Sequence, residues 1–308
     1  MPLLEISDLK ALFRLGVVRR ALPACALVLV CCLPALPAQA ETTLQRIARS
    51  GTVVIGYRDS SIPFSYLDEG KQPVGYAIDL CRRLVGALGK QLGREPKIEY
   101  RAVTSANRID LVAGGQVDLE CGSTTNNAER RARVAFTVPH FITSTRFMVK
   151  QDSEIARHSD LHRAIVVTTR GSTAEKLFHE LQLRSKLEIA PDHAAAFAML
   201  EAGAADAFMM DDVLLASMRA RAKDPAGYRI LDESYRVEAL SIAFARDDAP
   251  FKALVDNEMT RLITTGETAS LYRKWFEQPI PPKGINLHWP MGNLLRNTFR
   301  FPSDWAPD

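Results

Sequence analysis

Apolar residues in the first half of the chain recur at two different spacings. A compact β-branched run at 52–57 predicts a buried strand, and apolar runs at 97–103 and 117–121 predict two more. Between them, apolar residues at every third or fourth position predict a helix around 78–88 and a two-turn helix at 106–113, each followed by glycine. The predicted order is therefore strand, helix, strand, helix, strand.

The same alternation begins again after residue 160, with strands and helices predicted in turn at 164–168, 173–183, 187–190, 193–201, 207–210 and 212–221. Such alternation is typical of parallel sheets with helices on both faces, so two blocks predict two α/β lobes. Strand-like segments at 145–149 and 238–245 flank the second block, and we interpret them as its connections to the first. Residues 250–275 are predicted to be helical, and the prolines after them predict an irregular tail.

Residues 1–40 differ from the rest of the chain. Three arginines between residues 14 and 20 precede an apolar run at 21–36, and the small residues Ala38 and Ala40 follow it. This pattern predicts a secretory signal peptide with cleavage after Ala40. A membrane anchor is the alternative, but sixteen apolar residues with two prolines are short for a bilayer, which needs about 20. We therefore expect export to the periplasm.

The formal charge of +3 over 308 residues changes meaning when it is divided along the chain. Residues 1–40 hold four basic and two acidic residues, so a net +2 leaves with them and the remainder carries +1. A nearly neutral protein does not bind nucleic acid through bulk charge. Three of the five cysteines also fall in 1–40; Cys81 and Cys121 remain, and the sequence leaves their pairing open.

Polar residues concentrate at the carboxyl ends of the predicted strands, where ligands of open α/β sheets bind. Hydroxyl groups, arginines and helix starts all favour an anion there, because free backbone N–H groups and the helix dipole reinforce the arginines. Ser, Thr and Asp at helix starts are also ordinary N-caps, so one such residue alone indicates no function. These strand ends are 57–61, 104–108, 121–130, 169–173, 191–193 and 211–212.

Several segments resemble the periplasmic glutamate/aspartate-binding proteins of ABC uptake systems. They are GYRDSSIPFS at 56–65, TSANR at 104–108, ECGSTTNNAER at 120–130, FMMDD at 208–212 and WFEQPIPPK at 275–283. The resemblance spans about residues 42–285. It implies the type II periplasmic binding protein fold, an α/β architecture of two lobes with parallel-type sheets flanked by helices and joined by two hinge strands. Lobe 1 would comprise 41–140 and 241–308, and lobe 2 would comprise 141–240.

Within these strand ends, the resemblance implies nine ligand-binding residues and a role for each. Arg130 would bind the ligand α-carboxylate, with hydroxyl or backbone donors from Thr125 and Thr173. Ser123 and Asp211 would accept hydrogen bonds from the α-ammonium group. The other four candidates would receive the side-chain carboxylate, and they are Arg58, Ser105, Arg108 and His193.

The function implied is the capture of glutamate or aspartate by hinge closure and its delivery to an ABC permease. Charge agrees with this, because three arginines and one aspartate give +2 against a ligand of net −1. A neutral ligand would leave Arg58 and Arg108 desolvated without a counter-charge. Arg170 stands where the family usually has a small residue, and we expect it to point outward into solvent. The choice between aspartate, glutamate and a larger diacid stays open.

Two other functions share this fold. A periplasmic enzyme of the dehydratase type is one, but the chain has no HExxH, GxSxG or Walker A motif. His158 and His162 are four residues apart without further ligands beside them, so we predict no metal site. A sensor module that presents its ligand to a receptor is the other, and the sequence does not separate it from a transport protein. We expect a monomer that is not an enzyme, with no cofactor and no nucleic-acid partner.

Overall fold

The computed structural model describes residues 41–304, and residues 1–40 and 305–308 lie outside the described part. The predicted signal peptide falls in the first of these segments. Within residues 41–304 no helix combines the length and the apolar character needed to cross a membrane.

Strands and helices alternate in two blocks, as the spacing of apolar residues predicts. The strands are β1 (Thr52–Tyr57), β2 (Ser60–Ser61), β3 (Ser65–Leu67), β4 (Pro73–Val74), β5 (Lys97–Ala102), β6 (Leu119–Glu120), β7 (Val134–Phe136), β8 (Phe141–Lys150), β9 (Ile165–Thr169), β10 (Lys186–Ala190), β11 (Ala207–Asp211), β12 (Tyr228–Ile230), β13 (Arg236–Leu240) and β14 (Ala243–Ala245). The helices are α1 (Thr43–Ser50), α2 (Tyr76–Leu92), α3 (Arg108–Ala113), α4 (Ala128–Arg131), α5 (Thr173–Glu180), α6 (His193–Glu201), α7 (Asp212–Arg221), α8 (Ala249–Thr264), α9 (Glu267–Tyr272) and α10 (Asn293–Arg300).

The first sheet has the strand order β5-β1-β6-β14-β7. β1 runs parallel to β5 and β6, whereas β14 runs antiparallel to β6 and β7. Helix α2 packs against this sheet and against α8 through residues three or four apart, including Leu84 and Leu88, which are fully buried. The helix ends at Gly93, whose φ of +66° suits the left-handed C-cap that glycine adopts without strain.

The second sheet has the order β10-β9-β11-β8-β12, with β13 also paired to β8. β9, β10 and β11 are parallel, but β8 runs antiparallel to β11, β12 and β13. Both sheets are therefore mixed rather than purely parallel. The antiparallel strands β8 and β14 are the ones with which the chain enters each sheet from the other. Parallel neighbours need a crossover helix between them, but a strand that arrives from the other sheet does not.

Two short crossings join the sheets. The chain leaves the first sheet after β7 and enters the second with β8, and it returns from β13 to β14 through residues 241 and 242. Backbone hydrogen bonds tie the crossings together, from His140 N to Leu240 O at 2.9 Å and from Thr137 N to Ile242 O at 3.0 Å. This is the two-lobed fold with two hinge strands that the sequence predicts.

The end of the chain differs from expectation. The helix predicted at 250–275 is divided between α8 and α9 by Gly266, which has a φ of +80°, and it closes with a π-helical turn at Arg273–Glu277. The prediction of an irregular tail is wrong for Asn293–Arg300, which forms α10 and buries Leu295. Leu295 is the buried residue of this helix, and contacts with α8 and β8 stabilise it.

Cys81 and Cys121 form a disulfide with their Cα atoms 6.3 Å apart. The bond links the buried face of α2 to the residue directly after β6. It therefore anchors the start of the loop that carries Ser123 and Thr125.

Candidate functional site

The candidate residues meet because the carboxyl ends of the strands in both sheets face one cleft. On the side of the first sheet they follow β1, β5 and β6 or lie in α3 and α4, and on the side of the second sheet they begin α5 and α6 or end β11. A small cavity of about 10 Å³ lies between these ends, and Met210, Leu214 and Ser172 complete its lining. The candidates that line it are Ser105, Arg108, Ser123, Thr125, Thr173, His193 and Asp211.

The two remaining candidates adjoin the cavity through direct hydrogen bonds to its wall. Arg58 donates from Nη2 to the Ser105 hydroxyl at 2.7 Å. Arg130 donates from Nη1 to the carbonyl of Thr125 at 2.9 Å, and from Nη2 to the carbonyl of Gly171 at 3.3 Å. The structure thus brings all nine predicted residues to one place.

Three arginines are buried together in this site. Arg58 and Arg108 are only 2% and 3% exposed, and Arg130 is 9% exposed. Burial, followed by the charge of Arg108, lowers the pKa of Arg58 to about 9 and that of Arg130 to about 9. Within residues 41–304, Arg58 Nη1 and Arg108 Nε have no hydrogen-bond partner. These are desolvated cations with free donors, which an anionic group would satisfy.

His193 adds a neutral polar group to the same cavity. Its Nδ1 lies 2.8 Å from the hydroxyl oxygen of Thr169, and its Nε2 has no partner within the described residues. Burial, with the charges of Arg58 and Arg108, holds the pKa of this imidazole well below its usual range. A neutral imidazole offers a hydrogen bond without adding a fourth cation.

Asp211 supplies a carboxylate at the end of β11. Burial, followed by the negative charges of Glu238 and Asp212, raises its pKa well above the usual range, and Arg108 and Arg130 oppose this only in part. Such a carboxyl gains most from an incoming cation, which favours its ionised form.

Glu238 and Glu120 are functional candidates that the sequence analysis missed. Glu238 lies on β13 and is 2% exposed, and the hydroxyls of Thr125 and Thr173 both donate to its Oε2, at 2.5 and 2.8 Å. Glu120 is the last residue of β6 and is fully buried. Its side chain and that of Arg58 both adjoin Gly122, since a Cβ atom on Gly122 would lie 2.6 Å from Glu120 Oε1 and 2.8 Å from Arg58 Cγ. The available signal was a charged residue inside an otherwise apolar strand, which is rare without partners.

The two sides of the cleft touch each other. Gly171, which follows β9, has a φ of +71°, and a Cβ there would lie 2.6 Å from the Cα of Ala106, which follows β5. At the rim, Lys176 of α5 forms an ion pair of 2.8 Å with Glu129 of α4.

Arg170 is exposed and does not line the cavity, as expected. No group of three or more potential metal ligands occurs in the described part of the chain.

Comparisons with known proteins agree with this geometry. The family model of bacterial extracellular solute-binding proteins, family 3, matches residues 53–278. The chain is 42% identical over 281 residues to the L-glutamate/L-aspartate-binding protein of Pseudomonas aeruginosa, covering 89% of this chain and 93% of that protein. It is 39% identical over 272 residues to the glutamate/aspartate import solute-binding protein of Escherichia coli, covering 87% of this chain and 90% of that protein.

A solved structure gives the same result for the fold. The cysteine-binding protein from Campylobacter jejuni superimposes with a TM-score of 0.68 at 26% identity, covering 76% of this chain and 92% of that chain. The two curated relatives are binding proteins rather than enzymes, which argues against the alternative of a same-fold enzyme. The cleft between two mixed sheets, the polar strand ends and these similarities have one explanation: the chain belongs to family 3 of the bacterial extracellular solute-binding proteins.

Proposed function

We propose that this protein captures an acidic α-amino acid, glutamate or aspartate, and delivers it to an ABC permease. The observation that carries the proposal is the pair of buried arginines, Arg58 and Arg108, each with a guanidinium nitrogen that lacks a partner within residues 41–304. A side-chain carboxylate satisfies both, whereas a side-chain amide brings no counter-charge to them. The names of the Pseudomonas and Escherichia coli relatives support the same ligand class.

The chemistry of the cavity supports an assignment of each ligand group. Arg130 would bind the α-carboxylate together with backbone N–H groups of Thr125 and Thr173. Asp211 would bind the α-ammonium group, and Ser123 would accept from it, because its own hydroxyl proton is directed to Ser61 Oγ at 3.3 Å. The side-chain carboxylate would lie among Arg58, Ser105, Arg108 and His193.

Binding would couple to closure of the hinge, a motion for which periplasmic binding proteins are the standard example. The strands that change sheets support lobe boundaries at 140/141 and 240/241, with lobe 1 formed by 41–140 and 241–308 and lobe 2 by 141–240. The ligand would touch Arg58 and Arg108 in lobe 1 and His193 in lobe 2, and so would hold the lobes together. Together with the predicted signal at 1–40, membership of an extracellular family supports a periplasmic location.

Calorimetric titration with glutamate, aspartate, glutamine, asparagine and lysine tests the ligand class. Glutamine is the matched control, because it differs from glutamate only in replacing the side-chain carboxylate with an amide. We expect tight binding of glutamate and aspartate alone. Equal binding of glutamine, or a preference for lysine, would show that the buried arginines do not select an acidic side chain. Uptake of labelled glutamate in cells with and without the gene tests the transport step.

A further inference from the structure

Glu238 lies beneath the cavity and joins three elements. Its Oε2 accepts the hydroxyl hydrogen bonds of Thr125, which follows β6, and of Thr173, which begins α5. Its Oε1 accepts one from Thr145 on β8, at 3.4 Å. Both carboxylate oxygens thus receive donors, which suits an acceptor-only, ionised group. The donors are all neutral hydroxyls, so they satisfy the carboxylate without cancelling its charge.

These bonds determine what the threonines can offer to a ligand. A hydroxyl has one proton, and those of Thr125 and Thr173 are directed to Glu238. Thr173 is the first residue of α5, where backbone N–H groups have no intrahelical partner. Thr125 forms an isolated antiparallel bridge to Leu240 between two flanking hydrogen bonds, so its own N–H points away from β13. Glu238 therefore leaves backbone N–H groups for the ligand carboxylate.

The sheet register places Glu238 and Asp211 on the same face. Asp211 of β11 pairs with Thr145 of β8, and Thr145 pairs with Arg236 of β13. Directly paired residues point to one side of a sheet, and so do residues two apart on a strand, so Glu238 shares the face of Asp211 with Thr145 between them. Burial raises the pKa of the Asp211 carboxyl most, and the charge of Glu238 on the same face raises it further.

We propose that Glu238 is a positioning residue whose buried negative charge makes the cavity select ligands that carry an α-ammonium group and reject dicarboxylates that lack one. This inference rests on the proposed function. Glutamate brings a cation to the end of the cavity formed by Asp211 and Glu238. Glutarate has the same two carboxylates and the same carbon chain but no amine, so it brings no cation to Asp211 and Glu238, whose negative charge disfavours its carboxylates.

The test is the ratio of glutarate to glutamate dissociation constants in Glu238→Gln and in the wild-type protein, measured by calorimetry at neutral pH. Gln removes the charge and keeps an oxygen that accepts from the hydroxyls of Thr125 and Thr173, while its amide nitrogen faces Thr145, whose hydroxyl can turn to accept. We expect glutarate to gain at least about tenfold relative to glutamate in the variant. Glu95→Gln is the matched control, because it removes a carboxylate from an exposed loop and should leave the ratio unchanged.

The ratio separates specificity from structure. A purely structural role would weaken both ligands equally, and an unchanged ratio in Glu238→Gln would overturn the inference while leaving the proposed function intact. If the wild-type protein does not bind glutamate or aspartate, the proposed function itself fails. Thermal melting precedes each titration; if Glu238→Gln does not fold, Glu238→Met makes the same charge change with an apolar side chain of similar length, and the same ratio decides.

Discussion

Replacing Arg58 with methionine should weaken glutamate binding and yet leave the unliganded protein at least as stable. The side chain is 2% exposed, and burial, followed by the charge of Arg108, lowers its pKa from the usual value of a guanidinium to about 9. Each factor of ten in proton affinity corresponds to about 1.4 kcal/mol, so burial and neighbouring cations disfavour the charged guanidinium by about 5 kcal/mol. Methionine removes this cost, and it also removes the hydrogen bond to Ser105 and the attraction to Glu120.

The affinity should change in the opposite direction, because a bound side-chain carboxylate is what satisfies the guanidinium. A charge-assisted hydrogen bond contributes about 1.5–3 kcal/mol, so the loss of one predicts about 10- to 150-fold weaker binding of glutamate. Glutamine should be affected much less, since its amide does not balance the charge of Arg58.

Calorimetry with both ligands and thermal melting without ligand measure these two effects. Arg130→Met is the control, because Arg130 is placed at the α-carboxylate and its loss should weaken glutamate and glutamine alike. The reasoning is refuted if Arg58→Met weakens the two ligands by the same factor. A melting temperature several degrees below that of the wild-type protein would likewise show that Arg58 stabilises the unliganded fold.

Three further outcomes are expected. Burial raises the pKa of Asp211 well above its usual range, and an ammonium group beside it favours the ionised form. Glutamate should therefore bind more tightly as the pH rises above the usual range of a carboxyl group, and binding should release protons, which calorimetry in two buffers of different ionisation enthalpy detects. Lys176→Ala, which removes an exposed ion pair between the lobes, should weaken glutamate by less than about fivefold, and the difference should vanish in about 1 M salt. Cys81→Ser removes a disulfide between residues 40 positions apart and should lower the free energy of unfolding by about 4 kcal/mol, as measured by denaturant titration. This prediction is contradicted if neither the substitution nor a reductant added to the wild-type protein changes the free energy of unfolding.

The candidate site was predictable where its residues lie at strand ends. Arg58, Ser105 and Ser123 follow three different strands, and the geometry of a parallel arrangement brings such ends to one edge whatever the details of packing. The spacing of apolar residues was sufficient to predict the strands, and the predicted strands were sufficient to show which residues share one edge of a sheet. The same logic applies to Thr173 and His193, because each begins a helix directly after a strand.

Glu238 and the disulfide were not predictable in this way. The apolar pattern of β13 indicates a strand, but which face of that strand meets the cleft depends on its register with β8, a contact between residues almost 100 positions apart. The pairing of Cys81 with Cys121 likewise depends on how α2 packs beside the end of β6. Helix α10 was missed for the same reason, since its only buried apolar residue, Leu295, is held by distant elements.

The structure also changes the reason for expecting an acidic ligand. Three arginines and Asp211 suggested a site of +2, but Glu120 and Glu238 are buried in the same region, so the formal charges cancel. What remains is a separation of charge. The three arginines follow β1, β5 and β6 of the first sheet, where Glu120 reduces their charge to a net +2, while Asp211 and Glu238 lie on the second sheet. A ligand with carboxylates at one side and an ammonium group at the other matches this separation, whereas a ligand of one charge matches only one side.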